Sequence, residues 1–183
     1  IGSDAFQECD TVGITRPCTK YNWLVKSVDD LPRILHEAFR VAQTGRPGPV
    51  VVDIPKDVQF ATGTYQGPQI AEERTSYQPR LEPDEGAIRR AVALMANARK
   101  PIIYSGGGVI NSGDRASELL RELVAATGFP ITSTLMGLGA YPASGENWIG
   151  MLGMHGTFEA NMAMHDCDLM INIGARFDDR ITG

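Results

Sequence analysis

Apolar residues recur along this chain with two periods. Between 31 and 42, Leu31, Ile34, Leu35, Ala38, Phe39 and Ala42 return every three or four positions, the spacing of one helix face. Asp29 or Asp30 supplies a cap, Pro32 suits the first turn, and Gly45 marks the stop. Residues 49–54 then read Pro-Val-Val-Val-Asp-Ile, a β-branched run that predicts a parallel strand buried on both faces. The alternation resumes after 83. Asp84 and Glu85 open a predicted helix with Ile88, Ala91, Val92 and Met95 on one face. A strand over 101–105 ends in Gly106-Gly107-Gly108. A helix from near Ser112 turns Ala116, Leu119, Leu120, Leu123 and Val124 inward and stops at Gly128. A strand over 129–135, a helix capped by Thr157 and running to about His165, and a buried strand over 168–173 complete the pattern.

Strand, helix, strand, helix and strand in series predict a doubly wound parallel α/β unit over 84–183. Residues 1–28 read as short extended pieces and turns punctuated by Gly13, Pro17 and Asn22. Residues 61–83 are rich in Gly, Pro, Thr and Gln and read as a linker. The expected organisation is therefore 1–60, a linker, and 84–183.

Composition narrows the function classes. The chain has 183 residues, 43% apolar and 21% charged, with a formal net charge of −5. That acidic balance argues against nucleic acid or an anionic membrane as the main partner. No apolar run approaches the ~20 residues that span a bilayer. The three cysteines, Cys9, Cys18 and Cys167, lack zinc-ligand spacing and are expected to be small core residues of a reducing compartment. The sequence opens at Ile1 in dense, patterned sequence and is expected to be a fragment of a longer protein.

The chemistry gathers where strands end. Open α/β sheets bind ligands beyond the carboxyl ends of their strands. Gly106, Gly107 and Gly108 follow one strand; without Cβ atoms they would let a phosphate approach backbone N–H groups at a helix start, or simply form a tight turn. Thr134, Leu135, Met136, Gly137, Leu138 and Gly139 follow the next strand. Gly174, Ala175, Arg176, Asp178 and Arg180 follow the last. Arginine's planar fork suits phosphate and carboxylate. Three such clusters on one sheet edge favour a nucleotide-like ligand over packing glycines and surface ion pairs. His155, between glycines, is a candidate donor or a structural histidine. Lys56 follows the Val-rich strand and Arg46 precedes it; a solvated turn lysine is the plainer reading of Lys56. Asp178 and Asp179 could hold a divalent metal, but the flanking arginines make ion pairing the better reading. No Ser/His/Asp set, zinc signature or P-loop is present in the sequence.

Taken together, three stretches resemble one family. Residues 1–8 (Ile-Gly-Ser-Asp-Ala-Phe-Gln-Glu), 13–20 (Gly-Ile-Thr-Arg-Pro-Cys-Thr-Lys) and 45–57 (Gly-Arg-Pro-Gly-Pro-Val-Val-Val-Asp-Ile-Pro-Lys-Asp) resemble the acetolactate synthase family of thiamine-diphosphate enzymes. Residues 105–108, 134–139, 151–157 and 174–183 are similar to its central domain. Ser3 stands where the family has threonine, and Tyr21 where it usually has histidine.

The resemblance implies that 1–60 is the later half of a pyrimidine-binding domain and 84–183 the first part of a central FAD-binding domain. It implies FAD contacts at Arg46, Gly106, Gly107, Gly108, Thr134, Leu135, Met136, Leu152, Met154, His155, Gly174, Ala175, Arg176 and Asp178. Phe6 and Gln7 would line the active-site side of the pyrimidine domain. Lys56, Met154, Asp179 and Arg180 would surround a substrate channel where herbicidal inhibitors also bind, with Arg180 holding the carboxylate of the second 2-keto acid. Thiamine diphosphate and Mg2+ would be bound mainly by parts outside this sequence.

The implied activity joins pyruvate, after decarboxylation, to a second pyruvate or to 2-ketobutyrate, the first common step of branched-chain amino acid biosynthesis. The implied assembly is a homodimer or homotetramer with a possible small regulatory subunit. Its compartment would be the cytoplasm in a bacterium, a plastid or mitochondrion in a eukaryote. The piece alone is expected to be inactive. Rival readings are another FAD-binding thiamine-diphosphate enzyme (glyoxylate carboligase or pyruvate oxidase) and a noncatalytic nucleotide-binding module.

Overall fold

The structure, a computed structural model, describes residues 2–3, 8–67, 79–80 and 82–182. It divides into two compact units, Ile1–Pro83 and Asp84–Gly183. Among the described residues no helix is long and apolar enough to cross a membrane.

The first unit is one parallel βαβ crossover. Helix α1 (Thr11–Thr15) precedes strand β1 (Tyr21–Leu24); α2 (Leu31–Gln43) crosses over to β2 (Val50–Asp53), and α3 (Lys56–Phe60) follows. Strands β1 and β2 pair in parallel, Tyr21 opposite Val50 and Leu24 opposite Asp53. The core joins Trp23 and Val25 to Ile34, Ala38 and Val41 of α2 and Val58 of α3. Lys20 donates from Nζ to the carbonyls of Val41 and Thr44, placing a cation on the last carbonyls of α2, where the helix dipole favours it.

Several expectations need correction here. The buried stripe of α2 is Ile34, Glu37, Ala38 and Val41, while Leu35 and Phe39 are exposed. A helix lying on two strands covers a narrower stripe than the periodicity allows. Asp30 makes no side-chain cap and instead pairs with Arg33 at 3.0 Å. Strand β2 is half-buried along its length, not enclosed on both faces, because it has a strand partner on one side only among the described residues. Cys9 and Cys18 are exposed and Cys167 is half-buried, so the cysteines are not core residues; Cys9 precedes α1 and Cys18 ends the short helical turn after it.

The second unit runs α4 (Glu85–Asn97), β3 (Pro101–Ser105), α5 (Gly107–Asn111), α6 (Asp114–Thr127), β4 (Ile131–Ser133), β5 (Trp148–Met151), α7 (Phe158–Asp166), β6 (Leu169–Ile173) and α8 (Asp179–Thr182). Its four strands are all parallel, in the order β5-β4-β3-β6. The chain builds outward from β3 to β5, then crosses back to the other side of β3. This is the expected doubly wound arrangement, and its switch point lies between β3 and β6. Strand alternation sorts the core. Ile103 and Ile131 pack with Val109, Leu120 and Val124. Ile102 and Tyr104 take the alternate positions of β3 and are equally buried.

Helix ends follow the sequence signals. Asp84 accepts from Ala87 N–H at 2.9 Å, Thr157 accepts from Ala160 N–H at 3.3 Å, and Gly128 closes α6 at φ 68°. Other expectations shift. The helix placed at Ser112 begins at Asp114, and Ser112 ends a separate short helix, α5. The strand over 129–135 is cut to Ile131–Ser133, since Thr134 turns away. Strand β5 was not foreseen. Strand β6 is half-buried because it is an edge strand of this sheet. Leu119, Ile88 and Val92 are exposed; an amphipathic period predicts a helix but not what covers it.

The carboxyl ends of β3 and β6 meet backbone to backbone. Gly106 N–H donates to Ile173 O at 3.0 Å and Gly108 N–H to Gly174 O at 2.9 Å. A Cβ on Gly106 would lie 2.4 Å from Ala175 Cα and Gly174 O, and one on Gly108 would lie 2.7 Å from Gly174 Cα. Gly106 has an extended backbone, so close approach, not φ, requires glycine there. At the opposite edge, Asp168 accepts from the N–H groups of Arg99 at 2.7 Å and Lys100 at 2.8 Å. Those two donors hold its carboxyl below the usual carboxylate range.

Two outcomes follow from these edges. Gly106→Ala is expected to destabilise the second unit by about 1–3 kcal/mol or more. Gly107→Ala should cost clearly less, because its nearest contacts are 3.1 Å from Met136 O and 3.2 Å from Met136 Cβ; urea unfolding midpoints would show the order. A carboxylate stabilised in the folded state contributes stability above its unfolded pKa and loses it as pH falls through the folded one. Asp168→Asn should therefore lower the melting temperature at neutral pH, with the deficit shrinking below about pH 4. A deficit that is constant across that range would contradict the ionic role.

Candidate functional site

Four loops leave the carboxyl edge of the second sheet, and hydrogen bonds fasten them to one another. The turn after β3 holds Gly106, Gly107 and Gly108. After β4, Thr134 N–H donates to Ser105 O at 2.9 Å, and Gly137 lies over Ser105 O and Gly106 Cα. After β5, Leu152 N–H donates to Ser133 O at 3.2 Å, and Met154 N–H to Arg180 O at 2.8 Å. After β6, residues 174–175 pack on the triple glycine. The sequence-predicted Gly106, Gly107, Gly108, Thr134, Met136, Leu152, Met154, Gly174, Ala175 and Arg180 are thus joined through neighbouring backbone.

The expected use of the glycines is revised. The close approach that they permit is filled by the chain's own segment at Gly174 and Ala175, and the N–H groups of Gly106 and Gly108 are already bonded. Gly106 and Gly108 join two strand ends. What the edge offers a ligand lies above them. The side chains of Leu135, Met136 and Met154 are 68%, 76% and 63% exposed. Thr134 Oγ1 is buried with no hydrogen-bond partner, a cost that a polar ligand atom would relieve. An apolar surface beside an unsatisfied hydroxyl fits a large heteroaromatic cofactor. Leu152 has its side chain in the core, so only its backbone belongs to the edge.

Charge on this edge is arranged by the loop after β6. Arg176 pairs with Asp178 at 3.0 Å, the ion pairing favoured over a metal pair. An exposed pair adds only about 0–1 kcal/mol, so it orients the guanidinium more than it stabilises. Tyr104 is fully buried; its hydroxyl donates to Arg176 O at 3.4 Å and its ring lies 5.5 Å from that of Phe177. Burial pushes its phenol pKa up, and the Asp178 carboxylate adds to the effect, so it stays a neutral donor. Arg180 and His155 are exposed, His155 on a turn closed by Gly156 N–H to Gly153 O at 2.8 Å.

Two asparagines absent from the sequence-based set complete the edge. Asn172 Nδ2 donates to Ala175 O at 3.0 Å, and Ala175 N–H donates to Asn172 Oδ1 at 3.1 Å. Asn161 does the same to Gly153, at 3.0 Å in both directions. The available signal was a carboxamide inside an apolar strand, and another on a helix, each beside a glycine-bearing loop.

The first unit carries a separate feature. A cavity of about 680 Å³ opens at Leu24 and Asp53, the last residues of β1 and β2. Gly2, Ser3, Glu8, Cys9, Asp10, Thr11 and Val12 line its other side. Glu8 accepts from the N–H groups of Gly2 and Ser3, and Asp10 from Gly13 N–H at 2.8 Å. Phe6 and Gln7 lie outside the described residues. Lys56 is exposed with Nζ 5.6 Å from the Phe60 ring centroid, and Arg46 is exposed in the loop before β2. Both belong to the first unit.

The chain is 50% identical, over its whole length, to the acetolactate synthase large subunit of Haemophilus influenzae, covering 32% of that protein. It is 52% identical to the acetolactate synthase of Mycobacterium bovis, again over its whole length and 29% of that protein. The isozyme 2 large subunit of Escherichia coli matches at 50% identity, over the whole chain and 32% of its length. The chain thus spans about a third of the length of these curated relatives. Residues 88–183 match the family described as "Thiamine pyrophosphate enzyme, central domain". That match covers the second unit from α4 through α8, and this chain belongs to the thiamine pyrophosphate enzyme family.

Proposed function

We propose that this chain is part of the catalytic subunit of an acetolactate synthase, which decarboxylates pyruvate and joins the remaining two carbons to a second 2-keto acid. The observation that carries the proposal is the identity of about half, over the whole chain and so across both units, to proteins of that name. Residues 1–60 serve as the later half of a pyrimidine-binding domain, 61–83 as a linker, and 84–183 as the first part of the central domain.

FAD fits the carboxyl edge of the second unit. Thr134 Oγ1 would meet a polar atom, Leu135, Met136 and Met154 would cover an aromatic ring system, and Arg176, oriented by Asp178, would neutralise phosphate. Gly106, Gly107, Gly108, Gly174 and Ala175 hold these loops together, and Leu152 and His155 flank them. Thiamine diphosphate, when bound with Mg2+ largely by parts outside this chain, would supply the electron sink. The acidic lining from Glu8, Asp10 and Asp53 suits the cationic heterocycle of that cofactor better than a keto-acid anion. Phe6 and Gln7 serve the active-site side of the pyrimidine-binding domain.

Arg180 holds the carboxylate of the incoming 2-keto acid, pyruvate or 2-ketobutyrate. Asp179 lines its approach. The same surface is where herbicidal inhibitors bind. The full enzyme is a homodimer or homotetramer that works with a small regulatory subunit, as the "large subunit" names of the relatives suggest. The relatives named above are bacterial, and a bacterial source would place the enzyme in the cytoplasm.

Product analysis on pyruvate tests the reading in the full-length enzyme: acetolactate is expected, whereas acetyl phosphate or no product would overturn it. Arg180→Ala should raise KM for the second keto acid about tenfold or more, the scale of a lost charge-assisted hydrogen bond. An unchanged KM and unchanged preference between 2-ketobutyrate and pyruvate would remove the arginine from that role. The 183-residue piece alone should turn over no pyruvate.

A further inference from the structure

We propose that Asn161 and Asn172 are positioning residues of the flavin edge, each locking one ligand-bearing loop through a reciprocal pair of side-chain to backbone hydrogen bonds. The inference rests on the flavin reading given above and adds the device that pre-forms the site.

Neither loop has a ladder partner for all its backbone groups, and such groups must bond somewhere. Asn172, on β6, both donates to and accepts from Ala175. It sets the turn at Gly174, φ 67°, from which Ala175, Arg176 and Asp178 depart. Asn161, on α7, both accepts from and donates to Gly153, φ 108°. That glycine begins the turn bearing Met154 and His155. A carboxamide alone among short side chains offers a donor and an acceptor side by side, matching one peptide unit or residue. The two clamps hold neighbouring loops, since Met154 N–H also donates to Arg180 O. Loops fixed before binding lose less conformational freedom when a ligand arrives. Asn172 is exposed and Asn161 half-buried, so truncating either leaves the apolar core intact.

The test uses the full-length enzyme stripped of FAD. Flavin titration followed by absorbance and fluorescence should show about tenfold weaker binding for Asn172→Ala and for Asn161→Ala, the scale of two lost hydrogen bonds. Amide exchange should accelerate locally, over 174–178 in the first variant and over 152–156 in the second. Asn172→Asp and Asn161→Asp keep the acceptor and lose the donor; they should also bind flavin more weakly, and they serve if an alanine variant fails to fold. Flavin affinity within about twofold of wild type, or exchange that accelerates evenly across the unit, would overturn the proposal. A wild-type enzyme that takes up no FAD would instead overturn the flavin reading, and the exchange measurement would still decide whether the asparagines hold their loops.

Discussion

Two strand ends in the second unit approach so closely that no side-chain carbon fits between them. Gly106 and Gly108 touch the backbone of Gly174 and Ala175 at distances where a Cβ would meet main-chain atoms below 3 Å. Main chain cannot shift as the tip of a flexible side chain can. The contact therefore fixes the loop after β6 against the turn after β3, at the point where the winding of the sheet reverses. Everything proposed for the edge inherits its geometry from that contact, including the direction in which Arg176 and Asp178 leave the sheet.

Around this seam the edge is held by polar bonds more than by burial. Ser105 and Ser133 hydroxyls meet at 2.6 Å inside the sheet, Tyr104 reaches the Arg176 carbonyl, and the two asparagines close their loops. The apolar side chains at the edge face outward. That division suits a binding surface: the frame is rigid and satisfied, while the exposed Leu135, Met136 and Met154 and the unpartnered Thr134 hydroxyl are left to a ligand. The first unit differs, with an acidic cavity at the carboxyl ends of its strands. Carboxylates line that cavity, whereas apolar side chains are what the edge of the second unit exposes.

Much of the secondary structure was legible because local rules governed it. Asp84, Thr157 and Gly128 cap or stop their helices as those residue types do elsewhere, and the β-branched runs became parallel strands. Strand β5 escaped notice because Trp148, Ile149, Gly150 and Met151 show neither alternation nor a continuous apolar run. The exposed faces of α4 and α2 show the complementary limit. Period tells a helix which side is apolar, but the covering partner is a matter of three-dimensional neighbours.

By itself the sequence determined the α/β class, the parallel winding of the second unit, the strand-end clusters and the family. These depend on spacing along the chain and on residue types whose conformational preferences are local. Only the tertiary structure decided that the N–H groups of Gly106 and Gly108 are bonded to the chain's own backbone, and that Asn161, Asn172 and Tyr104 bond to the loops. The glycine seam and the Tyr104 bond depend on contacts between residues tens of positions apart, as with Gly106 and Ala175, and the asparagine bonds depend on the path of the loops that they close. No local preference encodes the distance at which two such segments meet.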